Sequence, residues 1–505
     1  MELKAVLTGV PLLSEQTGGA VSAGLEAREI SGLEYDSRKV TAGSLFFAFP
    51  GARADGRQFA ADAMAKSAVA VVSELPAPTG FEGPWLQVLH GRQALARASR
   101  TFYGNLDEKL QLTGITGTNG KTTTGYLIDS ILRAAGKTTA LIGTVEYRLG
   151  GKVLPAVNTT PESLELHRIL AGLEQLGGTH ATMEVSSHAL ALGRVYGVGF
   201  HTAVFSNLTR DHLDFHGTME SYFEAKKLLF TGSGGPAPKC AVINRDDEWG
   251  RKLVSEGSTS EVLWYGLGPD ARVRARHIHN ALTGLRFEIA FDRLKFEVRS
   301  KMIGRFNVYN ILAACCAGMT YQLAPETIAA GIAACTGVPG RFERVDEGQP
   351  FAVVVDYSHT DDALRNALAV ARGLEPKRII TVFGCGGDRD VTKRPLMGKA
   401  AGEGSDLVIV TSDNPRSEEP LQIINDIMVG LKRTDTKAIV EPDRASAIRR
   451  AIENANAGDL VLLAGKGHET YQIFAKETIH FDDREVAAEV LRSFGFGRKS
   501  VEAAG

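Results

Sequence analysis

The sequence has no C-x-x-C pair, and its cysteines are few and odd in number: five in 505 residues (Cys240, Cys315, Cys316, Cys335 and Cys385). That argues against a disulfide framework or a cysteine zinc site and leaves reduced thiols. No run of about 18 or more apolar residues occurs, so no membrane-crossing helix is expected. The opening stretch MELKAVLTGVPLLSEQ has acidic residues on both sides of a short apolar run and no A-x-A cleavage signal, so a cytoplasmic location is expected. The formal net charge is only -2, with 44% hydrophobic and 23% charged residues. That balance gives no whole-chain attraction to nucleic acid or to an anionic membrane. The length is too great for one core and predicts several domains.

What is present reads as an α/β protein of three domains. In the first, residues 1–108, short strands at Ser44–Phe49 and Ala68–Ser73 flank a helix at Gln58–Lys66. Its clusters Asp36-Ser37-Arg38 and Asp55-Gly56-Arg57 are turn formers, or else loops offering hydroxyl and guanidinium groups to a phosphorylated ligand. In the second, residues 109–338, strand-like His180–Val185 runs into EVSSHAL and Ala203–Phe205 into SNLTRDHLDFHG. Both place polar residues just past a strand's carboxyl end. The alternation from Val273 to Arg299 predicts a hairpin or meander. GVPGRFERV, residues 337–345, marks the second boundary. In the third, residues 339–505, strands (Phe351–Asp356, Arg378–Phe383, Leu407–Thr411, Ala438–Glu441, Leu460–Ala464) alternate with helices (Asp361–Gly373, Leu421–Lys432, Arg444–Ala455). This predicts a Rossmann-like, doubly wound, mostly parallel sheet. The loop Gly384-Cys385-Gly386-Gly387 lacks G-x-G-x-x-G spacing and predicts no second dinucleotide site.

The sharpest single stretch is Gly114–Thr124, GITGTNGKTTT, between a strand-like run at Leu110–Leu112 and a helical one at Thr122–Ala135. A glycine turn there aims backbone N–H groups and a helix N-terminus at a phosphate. Lys121 would reach the terminal phosphates and the Thr122 hydroxyl would hold magnesium. The match to G-x-x-x-x-G-K-[ST] is imperfect, because Ile115 stands where the first glycine belongs. Magnesium prefers oxygen ligands, and Glu184 and His212 are the candidates to complete its shell. Lys226 and Lys227 sit on a helix and read as a solvated face; a lysine carbamate, formed from CO2, is the anionic alternative that could bridge two magnesium ions.

A second constellation lies in the third domain. Arg389, Asp413-Asn414-Pro415-Arg416 and Gly465-Lys466-Gly467-His468-Glu469 all follow strands of one sheet. Arginines bind a carboxylate bidentately and Glu469 would take an ammonium, so the expected ligand is an amino acid or another zwitterion. The alternative is a proline turn with a surface arginine.

GTNGKTT, NTTP (Asn158–Pro161), EVSSHAL, SNLTRDHLDFHGTMESYFEAK, GRFNVYN, GRFERV, FGCGGDRDVTKRP, DNPR and AGKGHE stand in the order in which they occur in the Mur ligases, which this chain resembles along nearly its whole length. The resemblance implies a central P-loop ATPase-like sheet and ATP-driven amide formation through an acyl phosphate. It implies that Gly117, Thr118, Asn119, Gly120, Lys121, Thr122 and Thr123 cradle ATP, with Asn310 and Arg341 also at the nucleotide. Thr122, Glu184, His212 and a carbamylated Lys226 would hold Mg2+, and Lys121, Lys226, His212 and Glu184 would carry the chemistry. Ser37, Thr159, Thr160, Ser186 and Arg194 match positions that bind a UDP-N-acetylmuramoyl dipeptide. Arg389, Asp413, Asn414, Pro415, Arg416, Gly465 and Glu469 match a pocket for meso-diaminopimelate, DNPR being the mark of the diaminopimelate-adding branch. Lysine-adding relatives carry other residues there, and lysine would leave Arg416 without a partner. One departure is Asp356–Leu364, DYSHTDDAL where relatives read DYAHTPDAL. The resemblance further implies a soluble monomer in peptidoglycan precursor synthesis. The alternatives are a related ligase adding L-lysine or another amino acid, a folate-type glutamate ligase, against which the full N-terminal unit and DNPR argue, and a non-catalytic nucleotide-gated binding module.

Overall fold

Parallel strands buried on both faces need apolar side chains at odd and even positions alike, and this chain supplies them in three sheets. A computed structural model describes residues 1–13, 22–51, 54–256, 260–281 and 283–497. The polar end of the opening stretch, Ser14 to Gln16, lies outside them. The chain groups into two compact units: residues 1–276 with 289–296 and 309–332, and residues 277–288 with 297–308 and 333–505. Among the described residues no helix is long and apolar enough to cross a membrane.

The first unit contains two sheets. The smaller has parallel strands β1 (Gly32–Glu34), β2 (Ser44–Phe47), β3 (Ala70–Ser73) and β4 (Trp85–Gln87) in chain order. Alternation sends Leu45, Phe47 and Val72 to one core with Ala94 and Leu95 of helix Gly91–Phe102, and Phe46 and Val71 to another with Ala60 and Ala63. The expected helix at Gln58–Lys66 begins as a 3-10 turn, Gly56–Phe59, before Ala60–Ala65. Asp36 and Asp55 are turn formers here: each caps a 3-10 turn by accepting from the N–H two residues on, of Arg38 (3.1 Å) and Arg57 (3.0 Å).

The larger sheet places β5 (Gln111–Thr116) at a switch of direction. Strands β6 (Thr139–Ile142) and β9 (His180–Glu184) lie on one side of it, and β10 (Thr202–Phe205), β11 (Cys240–Asn244) and β12 (Glu261–Gly266) on the other, all parallel. Beyond β6 an antiparallel ribbon, β7 (Glu146–Leu149) and β8 (Lys152–Pro155), closes the edge. In such sheets the crevice outside the carboxyl ends at the switch is the usual place for a ligand, and here the ends of β5, β9 and β10 border it. The alternating stretch from Val273 forms strands Val273–Ala281, Gly284–Phe291 and Leu294–Ser300.

The second unit is the doubly wound sheet that the sequence predicts. Its order is Glu343–Val345, Ala352–Asp356, Leu460–Ala464, Ile379–Phe383, Leu407–Val410, Lys437–Val440, and only the first strand is antiparallel. Val354 and Leu462 face one core, and Val353, Val355, Val461 and Leu463 the other.

Candidate active site

Gly114 proves to be part of β5, and the turn is the four residues Gly117–Gly120 before helix Lys121–Ala134. A Cβ on Gly114 would meet Phe200 at 2.9 Å, so that glycine serves packing and not the loop. Gly117 (φ 144°) and Gly120 (φ 87°) are different: a Cβ would lie 2.0 Å from Ser206 Oγ and 2.3 Å from Asn310 Oδ1. No L side chain fits either position. The turn is braced from the end of β10, a role that local sequence patterns do not reveal. Asn207 O accepts from Thr118 N (2.9 Å) and Asn207 Oδ1 from Asn119 N (3.0 Å), while Ser206 Oγ donates to Asn119 O (2.6 Å). Asn310 is brought to the same loop, accepting from Thr124 Oγ1 at 3.4 Å.

Two lysine nitrogens converge on one carbonyl. Lys121 Nζ donates to Gly117 O and Thr118 O (2.9 Å each), and Lys226 Nζ donates to Gly117 O (2.9 Å). Lys226 is not on a solvated face: it is 1% exposed, below the Tyr222 ring at 4.6 Å. Burial, then repulsion from Lys121, pushes its amine well below the usual 10.5. The solvated neighbour is Lys227, which pairs with Glu256 at 2.7 Å. Such a cluster suits an anion, and an amine made less basic by burial suits carbamylation.

Glu184 ends β9 and is 2% exposed. Its Oε1 accepts from Thr144 N (2.8 Å) and its Oε2 from Thr144 Oγ1 (3.1 Å), a partner that no sequence motif marks. His212 has a left-handed backbone (φ 52°), half-exposed, with its ring 6.0 Å from that of Tyr222 and 4.9 Å from that of His188. Thr122 is buried in the first turn of its helix. Among the described residues no three His, Cys, Asp or Glu side chains cluster as a metal site. The expected set contains only two such side chains, the Glu184 carboxylate and the His212 imidazole; the carboxylate, the Thr122 hydroxyl and a carbamate would supply the oxygens that a hard cation such as Mg2+ prefers.

The segment Asn158–Pro161 is tied to the same strand end. Thr159 Oγ1 lies 3.0 Å from Thr144 Oγ1, and Thr160 Oγ1 donates to Glu184 O (2.8 Å) and accepts from Ser186 N (3.1 Å). Arg194 Nη1 donates to Thr160 O (2.9 Å), while Glu162 receives both Arg194 (3.0 Å) and Arg92 (2.5 Å). Thr160 and Arg194 thus hold the segment against the end of β9. Ser37 stands apart in its 3-10 turn, its carbonyl accepting from Lys66 Nζ at 2.8 Å.

In the second unit the loops after three adjacent strands gather as expected. Asn414 Nδ2 donates to Glu469 Oε2 (2.8 Å), and Gly387 N to Asn414 O (2.9 Å). Arg416 (φ 52°) donates through Nη1 to Gly387 O at 2.8 Å; a Cβ on Gly386 would lie 2.9 Å from that nitrogen and 3.8 Å from Arg389 Cγ. Arg416 is therefore half-buried beside Arg389, not on a free proline turn. Pro415 and Asp413 are buried, and Gly465 (φ 115°) leaves no room for a Cβ beside Asp413 Oδ2, 2.8 Å away. Arg341 stacks its guanidinium over Tyr357 at 5.0 Å, and Tyr357 also meets the His359 and His468 rings. In the departing segment Ser358 Oγ donates to Asp356 Oδ1, and Asp361 takes the first turn of a helix, where a carboxylate is favourable.

Residues 29–103 match the Mur ligase family, catalytic domain; residues 115–318 the Mur ligase middle domain; and residues 340–467 the Mur ligase, glutamate ligase domain. A Solibacter usitatus protein named UDP-N-acetylmuramoyl-L-alanyl-D-glutamate--2,6-diaminopimelate ligase is 65% identical over 472 residues, covering 94% of this chain and 95% of that protein. The chain belongs to the Mur ligase family. A Geobacillus kaustophilus protein of the same name is 47% identical, with 92% of this chain and 96% of that protein covered. A solved structure of a ligase of that name has a TM-score of 0.72 at 34% identity, covering 96% of this chain and 99% of that one. The MurF ligase of Thermotoga maritima in complex with ADP shares the fold at 18% identity and a TM-score of 0.61, covering 94% of this chain and 99% of that one. As a Mur ligase the chain is an ATP-dependent enzyme that forms an amide bond.

Proposed function

We propose that this Mur ligase joins meso-2,6-diaminopimelate to UDP-N-acetylmuramoyl-L-alanyl-D-glutamate in cytoplasmic peptidoglycan precursor synthesis, acting as a monomer with domains at 1–108, 109–338 and 339–505. The observation that carries the substrate assignment is the gathering of Arg416, Asn414 and Glu469 at one sheet edge. Two arginines and a carboxylate suit an amino acid with a second carboxylate, and a lysine side chain would leave the half-buried Arg416 without an anion.

In this reading Gly117–Thr123 and Lys121 hold the ATP phosphates, with Asn310 and Arg341 at the nucleotide. Ser37, Thr159, Thr160, Ser186 and Arg194 hold the UDP-sugar peptide. Arg389, Asp413–Arg416, Gly465 and Glu469 hold the diaminopimelate. The γ-carboxylate of the D-glutamyl residue attacks the γ-phosphorus and ADP leaves; the amine then attacks the acyl phosphate and inorganic phosphate leaves. A free carboxylate lacks a leaving group, so phosphorylation supplies one. Thr122, Glu184, His212 and a carbamate on Lys226 would hold Mg2+, which shields the phosphate charge from the incoming carboxylate. The carbamate forms when the neutral Lys226 amine adds to CO2 and releases one proton, and the depressed basicity of that amine supports it.

The test is an amino-acid panel with ATP and the UDP-dipeptide, read by product mass and phosphate release. Meso-diaminopimelate should be coupled, with lysine used about 10⁴-fold less efficiently. Equal use of lysine would remove the substrate assignment and leave the ligase class standing. Phosphate release without any coupled product would favour a nucleotide-gated module instead.

A further inference from the structure

Behind Asn414 and Glu469 stands a charged side chain to which the proposed function gives no task. Lys466 follows the last residue of strand Leu460–Ala464 by two positions, and its side chain is 0% exposed. Glycines on either side hold it there. Gly465 (φ 115°) passes Asp413, and Gly467 (φ 55°) passes Tyr357, whose Cβ would lie 2.6 Å from a Cβ at that position. A buried ammonium needs acceptors for its three protons. Lys466 Nζ donates to Tyr471 O, to Asn414 Oδ1 (3.4 Å) and to Glu469 Oε2 (3.4 Å), and Asp413 Oδ1 is 3.9 Å away.

Those contacts settle which way Asn414 and Glu469 point. Asn414 Oδ1 accepts from both Lys466 and Ile473 N (3.0 Å), so its amide nitrogen is turned to Glu469 Oε2. Glu469 is held through Oε2 alone in these contacts, and Oε1 takes part in none of them. Without the ammonium, Asp413 and Glu469 would be two carboxylates repelling each other across the loop. Arg444, the next cation, is spent on Asp483 at 2.6 Å.

We infer that Lys466 is a positioning residue for the amino-acid substrate: its ammonium fixes the Asn414 amide and one oxygen of Glu469, leaving the other oxygen to receive the substrate's ammonium. This rests on the assignment of the pocket to the amino acid. A staple that only maintained the fold would change the amount of active enzyme, and so kcat, without singling out one substrate. A positioning residue singles out one Michaelis constant.

The experiment measures KM for amino acid, ATP and UDP-dipeptide in the full chain and in Lys466→Met, Glu469→Gln and the double variant. Lys466→Met should raise the amino-acid KM about 10- to 100-fold, the weight of a hydrogen bond to a charged group, with the other two within about twofold. In the Glu469→Gln background the same change should have little further effect, because Lys466 acts through that carboxylate. An equal rise in all three constants, or the same factor in both backgrounds, overturns the inference. If Lys466→Met does not fold, Lys466→Gln takes its place in both backgrounds, with the same two outcomes deciding. A wild-type enzyme that prefers another amino acid would refute the substrate assignment, while Lys466 would still be judged on that amino acid's KM.

Discussion

Among the described residues two lysines, Lys226 and Lys466, are almost completely buried, and they are buried differently. Lys466 is surrounded by carboxylates, with Asp413 and Glu469 within 4 Å, and these oppose the burial that lowers its basicity. Lys226 has a carbonyl, the Thr116 hydroxyl at 3.5 Å and an aromatic face, and repulsion from Lys121 acts on it more strongly than attraction to Asp211. The first arrangement is neutralised from within and is complete before any ligand arrives. The second is left with an excess of positive charge, because Lys121 outweighs Asp211, and a ligand or a modification must balance it. A buried lysine therefore tells little by burial alone; its partners decide whether it is scaffold or chemistry.

The sharpest way to break this contrast is to remove the amine of Lys226. Lys226→Ala should lower kcat by about 100-fold or more, as losing one group that supports the reacting phosphate does, and added short carboxylates should restore part of it. Lys227→Ala, one residue on, should leave turnover unchanged, since that side chain only pairs with Glu224 and Glu256 at the surface. Full activity in Lys226→Ala would remove the carbamate and reduce the lysine to packing.

On the other side of the comparison, Arg416→Ala should raise the amino-acid KM by about 100-fold and leave that for ATP within about twofold, as expected for one lost charge-assisted bond. Equal damage to both constants would mean that the guanidinium maintains the loop through Gly387 O and does not address a substrate carboxylate.

Much of this was legible in the sequence where local pattern and tertiary demand coincide. Strand Leu460–Ala464 was readable to the residue because a parallel strand buried on both faces is a short apolar run. Helix Lys393–Gly404 was not. It carries Gly398, Gly402 and Gly404, which weaken helix propensity, yet a Cβ on Gly398 would lie 2.1 Å from Ile427 O, and one on Gly430 1.7 Å from Pro395 O. Those glycines let two helices touch backbone to backbone, a demand set by a segment far along the chain. The same reason hid Thr144, Asn207 and Glu162 from the site reading, since each acts by meeting a loop from another strand. By local pattern adjacent Lys226 and Lys227 could not be told apart, and only the family resemblance singled out Lys226: one helix step separates core from solvent, and the packed sheet says which is inside.

The smallest effect is also the most direct measure of the unbalanced charge. In the unfolded chain Lys226 has the ordinary lysine value of 10.5, and folding lowers it well below that. Between the two values folding expels a proton, so Lys226 costs the native state progressively more as pH falls from about 10.5, and the cost is complete below the depressed value. Lys226→Met keeps the volume and removes the titration. Its melting temperature should equal or exceed that of the wild type at pH 7, and the difference should shrink as pH is raised toward 10, measured without nucleotide and with CO2 excluded. Lys466→Met should behave in the opposite sense and melt earlier at pH 7, because it exposes Asp413 and Glu469 to each other. If both variants lose stability alike, the two burials are energetically equivalent, and the Lys226 amine is held as firmly by Gly117 O as Lys466 is by its carboxylates.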